Sequence, residues 1–111
     1  MPRGRPLGSQ VRQNIISLLT VVGKPMYGYM IHKLYIKVFP PCTREVVYYH
    51  LDKGLHLGHF VLTAVKQEKG NFSWGGIVEK RYYAVGSKAE VPGIDPSITA
   101  KILAVQKELN L

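Results

Sequence analysis

Arg3 and Arg5, separated by Gly4 and enclosed by Pro2 and Pro6, open the chain MPRGRPLGSQ. Prolines hold such a segment extended, and the glycine lets its backbone approach another surface closely. Five residues bury nothing, so the chemistry of Arg3, Gly4, Arg5 and Pro6 is recognition of a groove lined with negative charge. A second group of donors lies at Thr43, Arg44, Tyr48, Tyr49 and Lys53. An arginine can take a guanine edge through two hydrogen bonds, while hydroxyls and lysine suit phosphates. Either tyrosine has an alternative, which is to pack beneath a neighbouring hairpin. Lys69, Lys80 and Arg81 add three cations further along.

Other chemistries find less support. The carboxylates are scattered, no glycine loop suited to phosphate occurs, and no nucleophile stands with a base, so no catalysis is expected. His50, His56, His59 and Cys42 raise the question of zinc, and His56-x-x-His59 has tolerable ligand spacing. There is no second close pair, however, and Gly58 would turn the two rings in unrelated directions. The expectation is no metal, no cofactor and no identifiable small-molecule ligand.

Charge sharpens the picture. Fifteen Lys and Arg face seven Asp and Glu, a net charge of +8. All of Arg3, Arg5, Arg12, Lys24, Lys33, Lys37 and Arg44 precede the first carboxylate, Glu45. From Glu45 onward, eight basic residues meet seven acidic ones. A field concentrated in this way attracts polyanions and releases their counterions on contact. The 111 residues suit one domain, and 46% hydrophobic residues argue for a folded one. No apolar run is long enough to span a bilayer and no leader peptide is visible. The lone Cys42 suits a reducing cytosol, so a cytoplasmic, nucleoid-associated setting is expected.

The elements that must position these groups follow from periodicity. Ser9 is placed to cap a first helix over 10–22, in which Val11, Ile15, Leu18, Leu19 and Val22 recur at helical spacing. Gly23-Lys24-Pro25 stops it. A second helix carries Met30, Ile31, Leu34, Tyr35 and Val38, and ends at Phe39-Pro40-Pro41 because a residue before proline avoids the α region. Thr43 caps a third helix reaching Leu57, with Gly58 as its left-handed terminator. The period then changes: HFVLTAVK and GIVEKRYYAV flank QEKGNFSWGG, giving a hairpin with a long loop. In that loop Phe72 and Trp74 either wedge into a groove or stack on a base, or else pack back on the body of the wing or against a second subunit. A linker leads to a last helix started by Asp95-Pro96. Its Ile98, Ile102, Val105 and Leu109 form an a/d seam, which either docks on the first helix or pairs with a second copy. A homodimer through this seam is the expectation.

Three helices followed by a hairpin is the order of an α+β winged helix-turn-helix, here with an added C-terminal helix. The expected organisation is an arm over 1–8, the winged domain over 9–86, a linker over 87–94 and the dimerisation helix over 95–111. YGYMIHKL, TREVVYYHLDKGLHLGHF and EKRYYAV, in that order, resemble the PadR-like transcriptional regulators over 11–86. Gly28 and Tyr29 match the start of the family's second helix, Tyr48 and Leu51 its recognition helix, Gly58 and Phe60 the wing entry, and Arg81, Tyr82 and Tyr83 the return strand. Gly54 departs from the family, standing where a large apolar residue is usual, and the Phe72 and Trp74 loop departs as well. The arm resembles an AT-hook, whose Arg-Gly-Arg-Pro core is intact at Arg3 to Pro6.

These resemblances imply a sequence-specific regulator bound to duplex DNA. Its third helix would read the major groove, Lys69, Lys80 and Arg81 would contact DNA from the wing, and the arm would lie in A·T-rich minor groove. The alternatives are an architectural DNA-binding protein without sequence choice, and an interaction module of a replication or transcription assembly.

Overall fold

In the computed structural model, residues 7–69, 77–90 and 93–111 are described, together with the side chains of 10–67, 79–90 and 93–111. The expected arm contacts Arg3, Gly4, Arg5 and Pro6 lie outside the described residues, as do Phe72 and Trp74. The Lys69 backbone is described and its side chain is not.

Helix α1 spans Leu7–Val22 and begins earlier than periodicity implies, so Ser9 lies inside the helix and is not its cap. The apolar repeat that marks a buried face sets in only at Val11, which is why the sequence places the start too late. The Gly23 N–H donates to the Leu19 carbonyl at 2.9 Å and closes the helix. A two-residue strand, β1 (Met26–Tyr27), follows and leads directly into α2 (Gly28–Val38). No sequence pattern announces β1, because two residues cannot alternate; it exists through its pairing with a distant strand.

Helix α3 covers Arg44–Leu57. The Thr43 hydroxyl accepts from the Val46 N–H at 3.3 Å, satisfying one of the donors a helix start leaves open. Gly58, at φ 82°, ends the helix in the left-handed conformation, and the His59 N–H returns to the Gly54 carbonyl at 2.8 Å. Strands β2 (Phe60–Lys69) and β3 (Ile77–Val85) form an antiparallel hairpin, with an irregularity at Thr63 between Leu62 and Ala64. The sheet order is β1-β3-β2, with Met26 opposite Tyr83 and Tyr27 opposite Tyr82. The described chain is thus α+β, with four helices and one three-stranded antiparallel sheet. No helix among the described residues is long and apolar enough to cross a membrane.

The core gathers one stripe from each helix. Ile15, Ile16, Leu18 and Leu19 of α1 meet Ile31, Leu34 and Tyr35 of α2 and Val47 and Leu51 of α3, with Phe60 and Tyr83 entering from the sheet. The Tyr35 hydroxyl, inside this core, accepts from the Asn14 side-chain amide at 3.1 Å. Gly54 is explained here. A Cβ at that position would collide with the Phe60 ring, so the helix gives up about 1 kcal/mol of propensity relative to alanine and admits a large side chain from β2.

Helix α4 (Pro96–Glu108) starts as expected, with the Asp95 carboxylate accepting from the Ser97 N–H at 2.8 Å and Pro96 in the first turn. Ile102 and Val105 are buried in the chain's own core, and Ile98 and Leu109 pack against that core from its rim. Helices α1 and α2 receive α4, and Lys37 of α2 reaches Glu108 at 3.4 Å. Ile98, Ile102, Val105 and Leu109, the residues expected to form a dimerisation seam, thus take the first of the two solutions open to them and dock on their own chain. Leu103 is the large apolar side chain that α4 leaves exposed.

Candidate nucleic-acid interface

One side of α3 is buried through Val47, His50, Leu51 and Gly54, and the other is left open to solvent. Steps of 100° per residue therefore set Glu45, Tyr49, Asp52 and His56 at the centre of the open face, with Arg44 and Tyr48 on one flank and Lys53 on the other. Tyr49 is 59% exposed and stands edge-on to the His50 ring at 5.0 Å. Tyr48 is 41% exposed and leans on the start of α2, where a Cβ added to Gly28 would lie 3.3 Å from the Tyr48 ring. Gly28 thus lets α2 and α3 approach closely enough to position that ring. Thr43 is exposed, although its hydroxyl oxygen already serves the cap.

The expected contacts Arg44, Tyr48, Tyr49 and Lys53 are therefore all presented by one element. Two carboxylates, Glu45 and Asp52, share the face with the two cations. His56 is turned back on its own helix, its Nδ1 donating to the Asp52 carbonyl at 2.9 Å. The outward face of α3 is thus close to charge-balanced, and the cationic excess lies elsewhere.

His50 closes the inner flank of α3. The Arg12 guanidinium of α1 donates to its Nδ1 at 3.3 Å, which requires an unprotonated acceptor there. Burial, reinforced by Arg12 and Lys53, holds the His50 pKa below its ordinary value and keeps the ring neutral.

The hairpin separates residues that stand together in the sequence. Consecutive strand residues point to opposite faces. Arg81 falls on the face that looks towards α3, and its Nε donates to Glu79 at 2.8 Å. With Tyr48, Asp52 and Tyr83, these two border a cleft of about 390 Å³ that also touches Tyr27, Gly28 and Tyr29. Burial raises the pKa of the Tyr83 phenol, against the opposing influence of Arg81. Lys80 falls on the other face, opposite Lys66 in the strand pairing, with its ammonium 5.0 Å from the centre of the Tyr27 ring. Arg81 is therefore brought to α3 and Lys80 is not.

Tyr27, Tyr29, Lys33 and Lys66 are side chains that the sequence did not single out as contacts. The motif Tyr-Gly-Tyr at 27–29 was visible, but only the pairing of β1 with β3 sets Tyr27 beside Tyr82. The histidines and Cys42 disperse: His32 Nε2 donates to the Cys42 carbonyl at 2.9 Å, and the buried Nδ1 of His59 has no hydrogen-bond partner among the described residues. Among the described residues, no three of His, Cys, Asp or Glu gather as a metal site. No protein-family model matches the chain, and a search of curated proteins returns no significant match.

Proposed function

We propose that this chain is a winged helix-turn-helix protein that reads duplex DNA, with α2 and α3 as the helix-turn-helix, the β2–β3 hairpin as the wing, and a PadR-like regulatory role in the cytoplasm. The observation that carries the reading is the open side of α3. No described element covers Arg44, Tyr48, Tyr49 and Lys53, while the opposite stripe anchors the helix in the core. A helix held in this way can enter a major groove. The sheet order β1-β3-β2, with α2 and α3 inserted between β1 and β2, supports the same architecture.

The charge balance of the open face favours base reading over simple backbone binding. Glu45 and Asp52 can accept from the cytosine amino group, and Arg44 can take a guanine edge. A face built to grip phosphate without sequence choice gains nothing from carboxylates. The cationic surplus, including Arg3 and Arg5 of the arm, is then free to meet phosphates and an A·T-rich minor groove. The docking of α4 on its own chain means that a dimer spanning two half-sites would join through other surfaces.

Selection of bound fragments from a random duplex library tests this reading, using the full chain, Arg44→Ala, and the pair Arg3→Ala with Arg5→Ala. The full chain should enrich a defined core motif. Arg44→Ala should relax one position of that motif, at a cost of about 1–3 kcal/mol. The arm variant should keep the core and lose only flanking A·T preference. Enrichment of A·T content alone, unchanged by Arg44→Ala, would replace sequence reading with architectural binding. No retention of any duplex at low salt would end the DNA reading altogether.

A further inference from the structure

The polar side chains at the start of α1 gather on one side of the helix. Gln10, Gln13, Asn14 and Ser17 fall within about 100° of one another around its axis. They form one wall of a pocket of about 460 Å³. Phe39 after α2, and Ile94 and Ile98 at the start of α4, supply its apolar lining, and Glu90 and Asp95 its charges. Two of the four polar side chains are occupied within the fold: Gln10 donates to Asn14 at 2.9 Å, and Asn14 to the Tyr35 hydroxyl at 3.1 Å. The other two are not. Ser17 is 8% exposed, and its hydroxyl has no hydrogen-bond partner among the described residues. The buried Oε1 of Gln13 has none among them either.

We propose that this pocket binds a small organic amine, its ammonium held by the oxygens of Gln13, Glu90 and Asp95 and its apolar body set against Phe39 and Ile98. The site goes beyond the duplex reading and uses no residue of the open face of α3.

Three observations carry it. First, polar groups buried without partners cost stability, and aliphatic side chains at Gln13 and Ser17 would avoid that cost. A ligand that bonds them recovers it. Second, the pocket has the opposite sign to the chain. Among the described residues no Lys, Arg or His lines it, whereas the whole chain carries +8. Glu90 has no ion-pair partner among those residues. Asp95 accepts from the Ser97 N–H at 2.8 Å and the Ser97 hydroxyl at 2.7 Å, both through Oδ1, which leaves Oδ2 for a further donor. These bonds hold the Asp95 pKa below its ordinary value. Its charge also offsets the positive end of α4, which would otherwise favour an anion. Third, an ammonium carries three N–H donors and no acceptor. A Glu90 oxygen, Asp95 Oδ2 and, after a turn of its carboxamide, Gln13 Oε1 are acceptors equal to them in number.

The test follows the NMR signals of the full chain during titration with phenethylamine, using phenethyl alcohol and phenylacetate as its neutral and anionic counterparts. Phenethylamine should shift the Ser17 and Gln13 signals to saturation, with affinity about tenfold above that of the alcohol, the difference between a charged and a neutral hydrogen bond. Gln13→Leu and Ser17→Ala should each weaken amine binding about two- to tenfold, the worth of one hydrogen bond. Neither should lower the melting temperature, because each removes a polar group that the free fold leaves unpaired. Glu90→Gln, at an exposed position, should weaken it by up to about fivefold. Equal affinity for amine, alcohol and anion would overturn the proposal, as would amine binding unchanged by all three substitutions. Shifts spread over the surface carboxylates without saturation would reduce the effect to general charge attraction and overturn it as well. Should Gln13→Leu and Ser17→Ala both melt lower, Glu90→Gln and the comparison with the alcohol decide the matter. None of these readouts involves DNA, so failure here leaves the duplex reading standing, and failure of that reading leaves this one.

Discussion

Replacing Gly54 by alanine sets two effects of known sign against each other. In an open helix the added methyl is worth about 1 kcal/mol through propensity alone. Here the methyl meets the Phe60 ring: the ring Cγ would lie 3.2 Å away and two further ring carbons closer still. Phe60 is 1% exposed and wedged among the core residues, so the ring has no open direction in which to retreat. Overpacking of this kind costs about 1–3 kcal/mol, and a ring that cannot swing away belongs at or beyond the upper end of that range. The net expectation is a loss of about 2 kcal/mol. For a chain of this size, that lowers the midpoint of thermal unfolding by about 8 °C. Because Phe60 begins β2 immediately after the turn that ends α3, the same shift tilts the hairpin against the helix and weakens duplex binding as well. Thermal unfolding followed by circular dichroism measures the first effect, and duplex affinity the second. Phe60→Leu in the Gly54→Ala background should recover at least half of the lost stability, since the leucine leaves room for the methyl. If Gly54→Ala melts at or above the unsubstituted chain, the account of this glycine is wrong and propensity governs the position.

Two further expectations concern the core. Ile102→Ala should cost about 3 kcal/mol, and the lowered melting midpoint should not depend on protein concentration, because the side chain is buried within one chain; a midpoint that rises with concentration would restore the seam to an interface between copies. His50 is held neutral in the fold, with its pKa below the ordinary 6.5. The unfolded chain therefore takes up this proton first, so the contribution of His50 is complete above about pH 6.5 and is lost as the pH falls through that value towards the folded pKa. His50→Asn keeps an acceptor for Arg12 and cannot titrate, so its melting temperature should fall less steeply between pH 7.5 and 5 (assay values chosen about one unit above and somewhat below ~6.5). Parallel pH profiles for the two proteins would dismiss the role given to His50.

Local chemistry was legible before any tertiary structure. The Thr43 cap, the Gly58 terminator, the Asp95-Pro96 start and the change of period after His59 are each decided within a few residues, and the structure places those elements there. The open face of α3 was legible for the same reason: Val47, Leu51 and Leu55, at successive steps of four, mark one side of the helix and leave the other to Tyr49 and Lys53, and the structure buries Val47 and Leu51 and leaves Leu55 half-buried. What the sequence left open depends on contacts between distant residues. Strand β1 exists only through its pairing with Tyr82 and Tyr83, Gly54 makes sense only once Phe60 lies across it, and Lys80 and Arg81 part company only when a register assigns them to opposite faces. The seam of α4 shows the division most plainly. Spacing alone determined that Ile98, Ile102, Val105 and Leu109 must leave water together, but burying an apolar stripe stabilises equally against any apolar surface. Which surface it was, α1 and α2 of the same chain, was a matter of three-dimensional proximity that no local pattern encodes.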